Sequence, residues 1–169
     1  MLSKTMEEAL NAQINAELFS AYLYLSMSAY FEAQDFPGMA QWMRSQNDEE
    51  VVHAMKIFTY VVERGGRVTL AAIDAPQTEW KSPLAVFEHA YKHEQYVTSL
   101  IHKLVAQAIE ENDYATKNML NWFVDEQVEE EATASAIVAK LKMVGDHTSG
   151  LIMLDKELGG RQAGGEQEL

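Results

Sequence analysis

NDEEVVH at residues 47–53 is the most informative stretch of this sequence, because its pattern returns 77 residues later as VDEQVEE at residues 124–130. A repeat that holds without a gap indicates that the chain consists of two related halves. Each half contributes one acid and then, 33 and 36 residues further on, a pair of residues three apart. The paired positions are Glu17 with Glu94, Glu49 with Glu126, Glu50 with Gln127, and His53 with Glu130.

Hydrophobic periodicity places the first copy of this pattern on a helical hairpin. Thr5 and Glu8 have capping-box spacing and predict the start of a first helix, which ends around residues 35–38. A second helix is predicted to run to Arg64, where Gly65 suits a left-handed C-cap. The apolar stripe of the first helix, spaced by three and four residues, is expected to comprise Leu10, Ile14, Leu18, Ala21 and Leu25.

A second hairpin follows a break in the periodicity at residues 67–81. Ser82-Pro83 is a strong helix start, with serine as N-cap and proline at the first helical position. The third helix is predicted to run from there to about Glu111. The turn at Asn112-Asp113 begins a fourth helix, which is expected to stop at Gly145.

This order of elements predicts an all-α fold. Short links within each hairpin and one long connection between them indicate a four-helix bundle with a crossover that spans its length. A short amphipathic helix is predicted at about residues 148–158. Residues 1–160 are expected to form one domain, and the glycine-rich residues 161–169 a disordered tail.

Composition excludes several classes of protein. The chain of 169 residues has no cysteine, which excludes disulfides and thiolate metal sites and leaves His, Asp and Glu as metal ligands. With 26 acidic and 13 basic residues its formal net charge is −13, so its surface repels nucleic acids and attracts cations. There is no apolar leader or membrane-length apolar segment, which predicts a soluble cytoplasmic protein without a membrane partner.

The repeated polar positions predict a metal site inside the bundle. Residues three apart share a helix face, so Glu50 and His53 can converge on one point, as can Gln127 and Glu130. The acids of the other two helices lie among apolar residues and are expected to be buried. Buried carboxylates that share a space repel one another unless a cation neutralises them, and few basic partners are near for a salt-bridge network. Oxygen ligands with one imidazole suit iron, manganese or zinc better than copper.

Together these motifs form a set: Glu17, the run Glu49-Glu50-x-x-His53, His93-Glu94, and the run Glu126-Gln127-x-Glu129-Glu130. The set resembles that of bacterial and archaeal non-haem ferritins over residues 1 to about 160. The resemblance implies an iron-storage protein with a ferritin-like four-helix bundle. Such a protein oxidises Fe(II) with O2 or H2O2 at a di-iron ferroxidase centre and stores a ferric mineral in a hollow shell of 24 identical subunits.

The resemblance also implies roles for individual residues. Glu17, Glu50 and His53 would hold the first iron, and Glu50, Glu94 and Glu130 the second, with Glu50 bridging and Gln127 beside them. Glu49, Glu126, Glu129 and Glu130 would form a third iron site. Tyr24 matches a tyrosine that acts there as an electron donor, and Trp122 is expected nearby. In the fifth helix, Leu151, Ile152, Leu154 and Leu158 would form one face that packs with copies around a four-fold axis.

Other interpretations fit some of these residues. The acidic run at residues 125–131 also fits a solvated helix face, and Tyr24 also fits a purely structural buried aromatic. His89 and His93 have metal-ligand spacing, yet two exposed histidines on a helix are more often incidental.

Two other protein families with this fold, and one protein of a different class, are alternatives to a non-haem ferritin. A rubrerythrin would need a cysteine-bound iron, which this chain cannot make. Bacterioferritins typically have a haem-ligating methionine after the bridging glutamate, where this chain has Val51, so no haem is expected. The second hairpin lacks a histidine at the position of His53, so we expect its iron to be held more loosely. A bundle that binds metal passively, without redox turnover, is the alternative from a different class.

Overall fold

The computed structural model describes residues 2–160, which form five helices and, within that range, no strand. In chain order they are α1 (Lys4–Ala33), α2 (Pro37–Glu63), α3 (Pro83–Glu110), α4 (Tyr114–Val144) and α5 (Thr148–Gly159). The predicted all-α fold is confirmed. None of these five helices is both long and apolar enough to span a membrane. The predicted disordered tail at residues 161–169 lies outside the described residues.

The helix ends follow capping chemistry, with one correction. Ser3 rather than Thr5 caps α1, since its side chain accepts a hydrogen bond from the backbone N–H three residues later. Thr5 therefore lies inside the helix. Ser82 and Asp113 cap α3 and α4 in the same way, as predicted. Gly65, with φ of 74°, closes α2 in the left-handed region.

The long helices pack as a bundle of antiparallel neighbours. α1 packs against α2 and α3, and α4 packs against α3. Side chains connect α2 to α4 at two levels, where Gln46 donates to Glu130 and Arg64 donates to Asp113. Because the numbers rise along α2 as they fall along α4, these two helices also run in opposite directions.

The crossover between α2 and α3 runs alongside α1. Near its start, the N–H of Thr69 donates to the side chain of Asn11, and near its end the carbonyl of Gln77 accepts from Ser26. These contacts follow α1 from its first turns towards its last. The prediction of a connection that crosses the whole bundle is confirmed.

Two apolar clusters fill the bundle, one on each side of the repeated polar positions. The first cluster contains Tyr24, Trp42 and Phe87 together with residues of α5. The second contains Leu10 and Phe123 and lies towards the other end of the helices. The polar positions therefore form a layer that is closed off from solvent at both ends by hydrocarbon.

The buried face of α1 differs from the predicted stripe. Leu25 is 45% exposed and Leu18 is half-buried, whereas Gln13, Glu17 and Ser20 are buried. These polar side chains occupy the core face because their partners lie inside the bundle. A hydrophobic pattern alone assigns such positions to the surface.

α5 packs against its own subunit. Leu154 and Leu158 are buried in the Trp42 cluster, and Leu151 packs against it. Ile152 points elsewhere and is 48% exposed. The prediction that these four residues form one face is therefore wrong, because three of them face the subunit core and Ile152 does not. The packing of α5 with copies around a four-fold axis stays a prediction.

A cap supplied by α5 fixes this helix to the start of α2. Phe36 makes no side-chain cap for α2, and Asp155 Oδ1 accepts a hydrogen bond from the N–H of Met39 at 2.8 Å instead. The approach requires glycines. A Cβ atom on Gly38 would lie 1.8 Å from the Asp155 carbonyl oxygen, and one on Gly159 would lie 2.9 Å from the Gly38 Cα.

Candidate metal centre

Three of the predicted ligands converge in the middle of the bundle. Glu17 projects from α1, and Glu50 and His53 project from α2 one turn apart. All three are buried, and one ligand atom from each lies within 4.8 Å of the other two. This is the geometry of a three-residue metal site, and it forms without an ion present.

Aromatic rings hold the imidazole of His53 in place. The Trp122 ring lies 5.4 Å from it and the Phe123 ring 5.9 Å, both nearly edge-on. Trp122 is therefore close to the site, as expected. Burial lowers the pKa of His53 to about 4, with a smaller contribution from the charge of Lys56. The ring is thus neutral at physiological pH, which is the form that binds metal.

The two carboxyl groups nearest this histidine are electrostatically strained. Burial raises the pKa of Glu50 well above its usual range, and the charges of Glu94 and Glu17 add to the effect. Burial also raises the pKa of Glu17, partly offset by hydrogen bonds from Glu50 and Gln13. Oε2 of Glu17 and Oε2 of Glu50 make no hydrogen bond that meets ordinary geometry among residues 2–160, although His53 Nδ1 lies 3.4 Å from Glu50 Oε2. A shared proton or a cation is needed to stabilise this pair.

The carboxylates of the second hairpin lie near this site, but they already accept hydrogen bonds. Tyr24 donates to Glu94 Oε1 at 2.5 Å, and Gln127 donates to Glu94 Oε2 at 3.2 Å. Gln46 donates to Glu130 Oε2 at 2.8 Å. Burial raises the pKa of Glu94 to about 7 despite the hydrogen bonds from Tyr24 and Gln127, which lower it. Glu94 and Glu130 thus accept hydrogen bonds from protein side chains. Glu17 and Glu50, in contrast, each have one oxygen that accepts none.

Comparisons with known proteins agree with this geometry. Residues 7–144 match the family model described as a ferritin-like domain. The crystal structure of an open-pore ferritin from Archaeoglobus fulgidus is 56% identical, covers 96% of this chain and all of that chain, and superposes with a TM-score of 0.95. The bacterial non-heme ferritin of Bacteroides fragilis (strain 638R) is 47% identical over 161 residues, which are 95% of this chain and 100% of the relative. That of Campylobacter jejuni is 42% identical over 156 residues, 92% of this chain and 93% of the relative.

The chain belongs to the ferritin family. It is a non-haem ferritin, an iron-storage protein with ferroxidase activity. The ferritin-like four-helix bundle that the resemblance implied is confirmed.

The remaining acids of this ferritin lie outside the convergent group. Glu49 and Glu126 are half-buried and Glu129 is exposed. Within residues 2–160, the group of Glu17, Glu50 and His53 is the one set of three ligands that meets without an ion.

Two buried glutamines of the ferritin site were not predicted from the sequence. Gln13 donates to Glu17 Oε1 at 2.8 Å, and Gln46 donates to Glu130. Each stands four residues before a candidate ligand on the same helix, which is one turn. Polar residues one turn from a ligand, on an otherwise apolar face, are the signal that would have found them.

The histidine pair of α3 also differs from expectation. His89 and His93 are half-buried rather than exposed. His89 Nδ1 accepts from the Trp80 ring N–H at 3.0 Å, and His93 Nε2 lies 2.7 Å from the hydroxyl of Ser20. Each ring thus contacts a different side chain through one of its two nitrogens.

Proposed function

We propose that Glu17, Glu50 and His53 bind the first Fe(II) of a ferroxidase centre within each subunit. The observation that carries the proposal is the pair of buried carboxylate oxygens without a donor, beside a neutral imidazole. Two hard oxygens and one nitrogen are a suitable donor set for ferrous iron. Because burial raises the pKa of both carboxyl groups, Fe(II) competes with protons for this site.

The second Fe(II) is held by Glu50, which bridges the two ions, and by Glu94 and Glu130. Both acids raise the pKa of Glu50 through their charges, which supports their proximity to it. Gln127 lies beside this position and donates to Glu94. The second ion must compete with existing hydrogen bonds and finds no imidazole, so it is bound more loosely and can leave after oxidation.

Oxidation needs two ions side by side. Each Fe(II) gives up one electron, and O2 accepts both together with two protons to become H2O2. With H2O2 as the oxidant, the same two electrons and two protons give two molecules of water. The protein positions the ions and compensates their charge. When the same O2 is instead reduced to two molecules of water with four protons, Tyr24 can supply a third electron, its proton passing along the hydrogen bond to Glu94, and Fe(II) at the third position the fourth.

A third iron position is formed by Glu49, Glu126 and Glu129, with Glu130 shared with the second. It lies on the half-exposed side of the same helices and receives iron after the paired ions. The negative charges of these acids would stabilise a cation at this position.

Storage follows from assembly of 24 such subunits into a shell in the cytoplasm, with a ferric mineral inside. A single bundle filled by its own core has no room for a mineral, so enclosure needs many copies. Haem is not expected, because Val51 follows the bridging glutamate and offers no sulfur.

Oxygen consumption upon Fe(II) addition tests this function. The proposed centre turns over, so O2 uptake continues far beyond the number of sites per chain. Passive binding instead predicts stoichiometric uptake of Fe(II) without O2 use. Iron-soaked crystals, measured at the iron edge, then show whether the first ion lies between Glu17, Glu50 and His53.

A further inference from the structure

Two glutamines outside the expected ligand set touch its carboxylates. Gln13 is 3% exposed and Gln46 is 0% exposed. The amide of Gln13 donates to Glu17 Oε1, and the amide of Gln46 donates to Glu130 Oε2, both at 2.8 Å. Burying an amide costs free energy unless it is bonded, so these two side chains are held in place by the carboxylates that they orient.

We propose that Gln13 and Gln46 are positioning residues, each of which aims one carboxylate of the di-iron centre at its metal. This inference rests on the proposed ligand set. The amide occupies one oxygen of the carboxylate and fixes its plane. At Glu17 the other oxygen, Oε2, is the one without a donor among the described residues.

The choice of an amide has a chemical reason. A lysine or arginine at either position would neutralise the carboxylate and compete with the metal for it. An amide donates a hydrogen bond and carries no net charge, so the carboxylate keeps its charge for the cation. Hydrogen bonds to ligand groups of this kind orient them and typically change metal affinity by about ten- to hundredfold.

The two glutamines differ in reach. Gln13 lies one turn before Glu17 on α1, so its hydrogen bond is local to a single helix. Gln46 lies one turn before Glu50 on α2 but donates across the bundle to Glu130 on α4. Gln13 therefore serves the first hairpin alone, whereas Gln46 ties the ligand sets of both hairpins together. The affinities of the two metal positions should respond to different glutamines.

Co(II) titration of the whole protein under anaerobic conditions tests this separation. Co(II) binds the same class of ligands, and its visible absorption reports the geometry of the bound ion. The variants are Gln13→Met and Gln46→Met, which keep the length of the side chain and remove the donor. Gln95→Met is the matched control, since Gln95 is exposed and stands next to Glu94 on α3.

We expect Gln13→Met to weaken the tighter Co(II) site about tenfold and to alter its absorption spectrum. Gln46→Met should weaken the looser site by a similar factor and leave the spectrum of the tighter one unchanged. Gln95→Met should match the unsubstituted protein. Equal affinities and spectra in all four proteins would overturn the proposal, as would an equal loss at both sites in both variants.

The same titration separates this proposal from the ligand assignment. If the unsubstituted protein binds no Co(II), or if crystals place it away from Glu17, Glu50 and His53, the proposed ferroxidase centre is wrong. If the unsubstituted protein binds Co(II) there and the glutamine variants bind it equally well, only the positioning role is wrong. Thermal unfolding of each variant without metal shows whether a change in affinity reflects a general loss of packing.

Discussion

The two hairpins carry the same repeated pattern but prepare it differently for metal. In the α1–α2 hairpin, Glu17 and Glu50 each keep one buried oxygen without a hydrogen-bond donor among the described residues, beside the neutral ring of His53. In the α3–α4 hairpin, Glu94 accepts hydrogen bonds from Tyr24 and from Gln127. The first half therefore keeps oxygens that a cation can bind, whereas the acids of the second accept hydrogen bonds from Tyr24 of α1, Gln46 of α2 and Gln127 of α4.

Two positions of the repeat account for this difference. Where the first hairpin has Glu50, the second has Gln127, which is a donor and turns towards Glu94. Where the first has His53, the second has Glu130, which binds the amide of Gln46. With the proposed ligand set, these two exchanges make the first position the tighter one.

The largest effect is expected from removing the imidazole of the α1–α2 hairpin. We predict that His53→Ala slows the fast phase of Fe(II) oxidation at least tenfold, because the open position loses its only nitrogen ligand. Stopped-flow absorbance after aerobic Fe(II) addition measures the rate, and circular dichroism checks that the helices remain. His102→Ala, on an exposed face of α3, is the control. An unchanged initial rate in His53→Ala would refute the site assignment.

Substitutions along α4 test the proposed iron positions of the α3–α4 hairpin. Glu130→Ala removes a ligand of the second iron, so it should slow the fast phase severalfold and lower occupancy of both outer positions. Glu126→Ala and Glu129→Ala should spare the fast phase and instead change the number of Fe(II) oxidised per O2. Anomalous scattering from iron-soaked crystals shows which positions fill. If Glu126→Ala empties the paired positions, the acidic run has been assigned wrongly.

The protonation of Glu94 predicts how the metal-free protein responds to pH. Its pKa in the folded protein is about 7 against an ordinary 4.5, so its contribution to stability is present at low pH and is lost as pH rises through 7. Between pH 6 and 8 this loss is on the order of 1 kcal/mol. The depressed pKa of His53 acts at lower pH, where stability falls as pH drops from 6.5 towards 4.

Glu94→Gln removes the titrating group and should flatten this dependence. Urea unfolding at pH 6 and pH 8 in the presence of a chelator measures the difference. We expect the stability of the variant to fall less over this range than that of the unsubstituted protein, by on the order of 1 kcal/mol. An identical loss in both proteins would show that Glu94 is already ionised at pH 6.

Tyr24→Phe is the mildest change. It removes the hydroxyl that donates to Glu94 and leaves the ring packed against Trp42. We expect the fast phase of oxidation to fall no more than about twofold, with a larger effect on the number of electrons delivered per O2. A tyrosyl radical signal after rapid freezing, absent from Tyr24→Phe, would show the redox role. If neither readout changes, the residue is structural.

The order of helices was predictable because their signals are local. Ser82, Asp113 and Gly65 act within one turn of their own position, so the sequence identifies each end directly. The site was predictable for a different reason. Its repeat places buried acids at matching distances in both halves, and few structures tolerate that without a cation.

The features that the sequence did not reveal depend on contacts between distant segments. Gln46 could not be linked to Glu130 before the register of α2 against α4 was known. Leu25 belongs to the apolar repeat of α1 but faces outward, because buried polar side chains take the core face. The hydrogen bond from the Met39 N–H to Asp155 could not be predicted either, because the two residues lie 116 positions apart on different helices.

The hydrogen bond between Asp155 and the Met39 N–H fixes the orientation of α5 against the start of α2. Any swing of α5 away from the bundle would strip the Met39 N–H of its acceptor and separate two glycine backbones already in contact. Other subunits therefore meet a surface whose orientation is set before they arrive. The side of α5 that faces outward carries Ile152, which is 48% exposed, and Met153, which is 73% exposed.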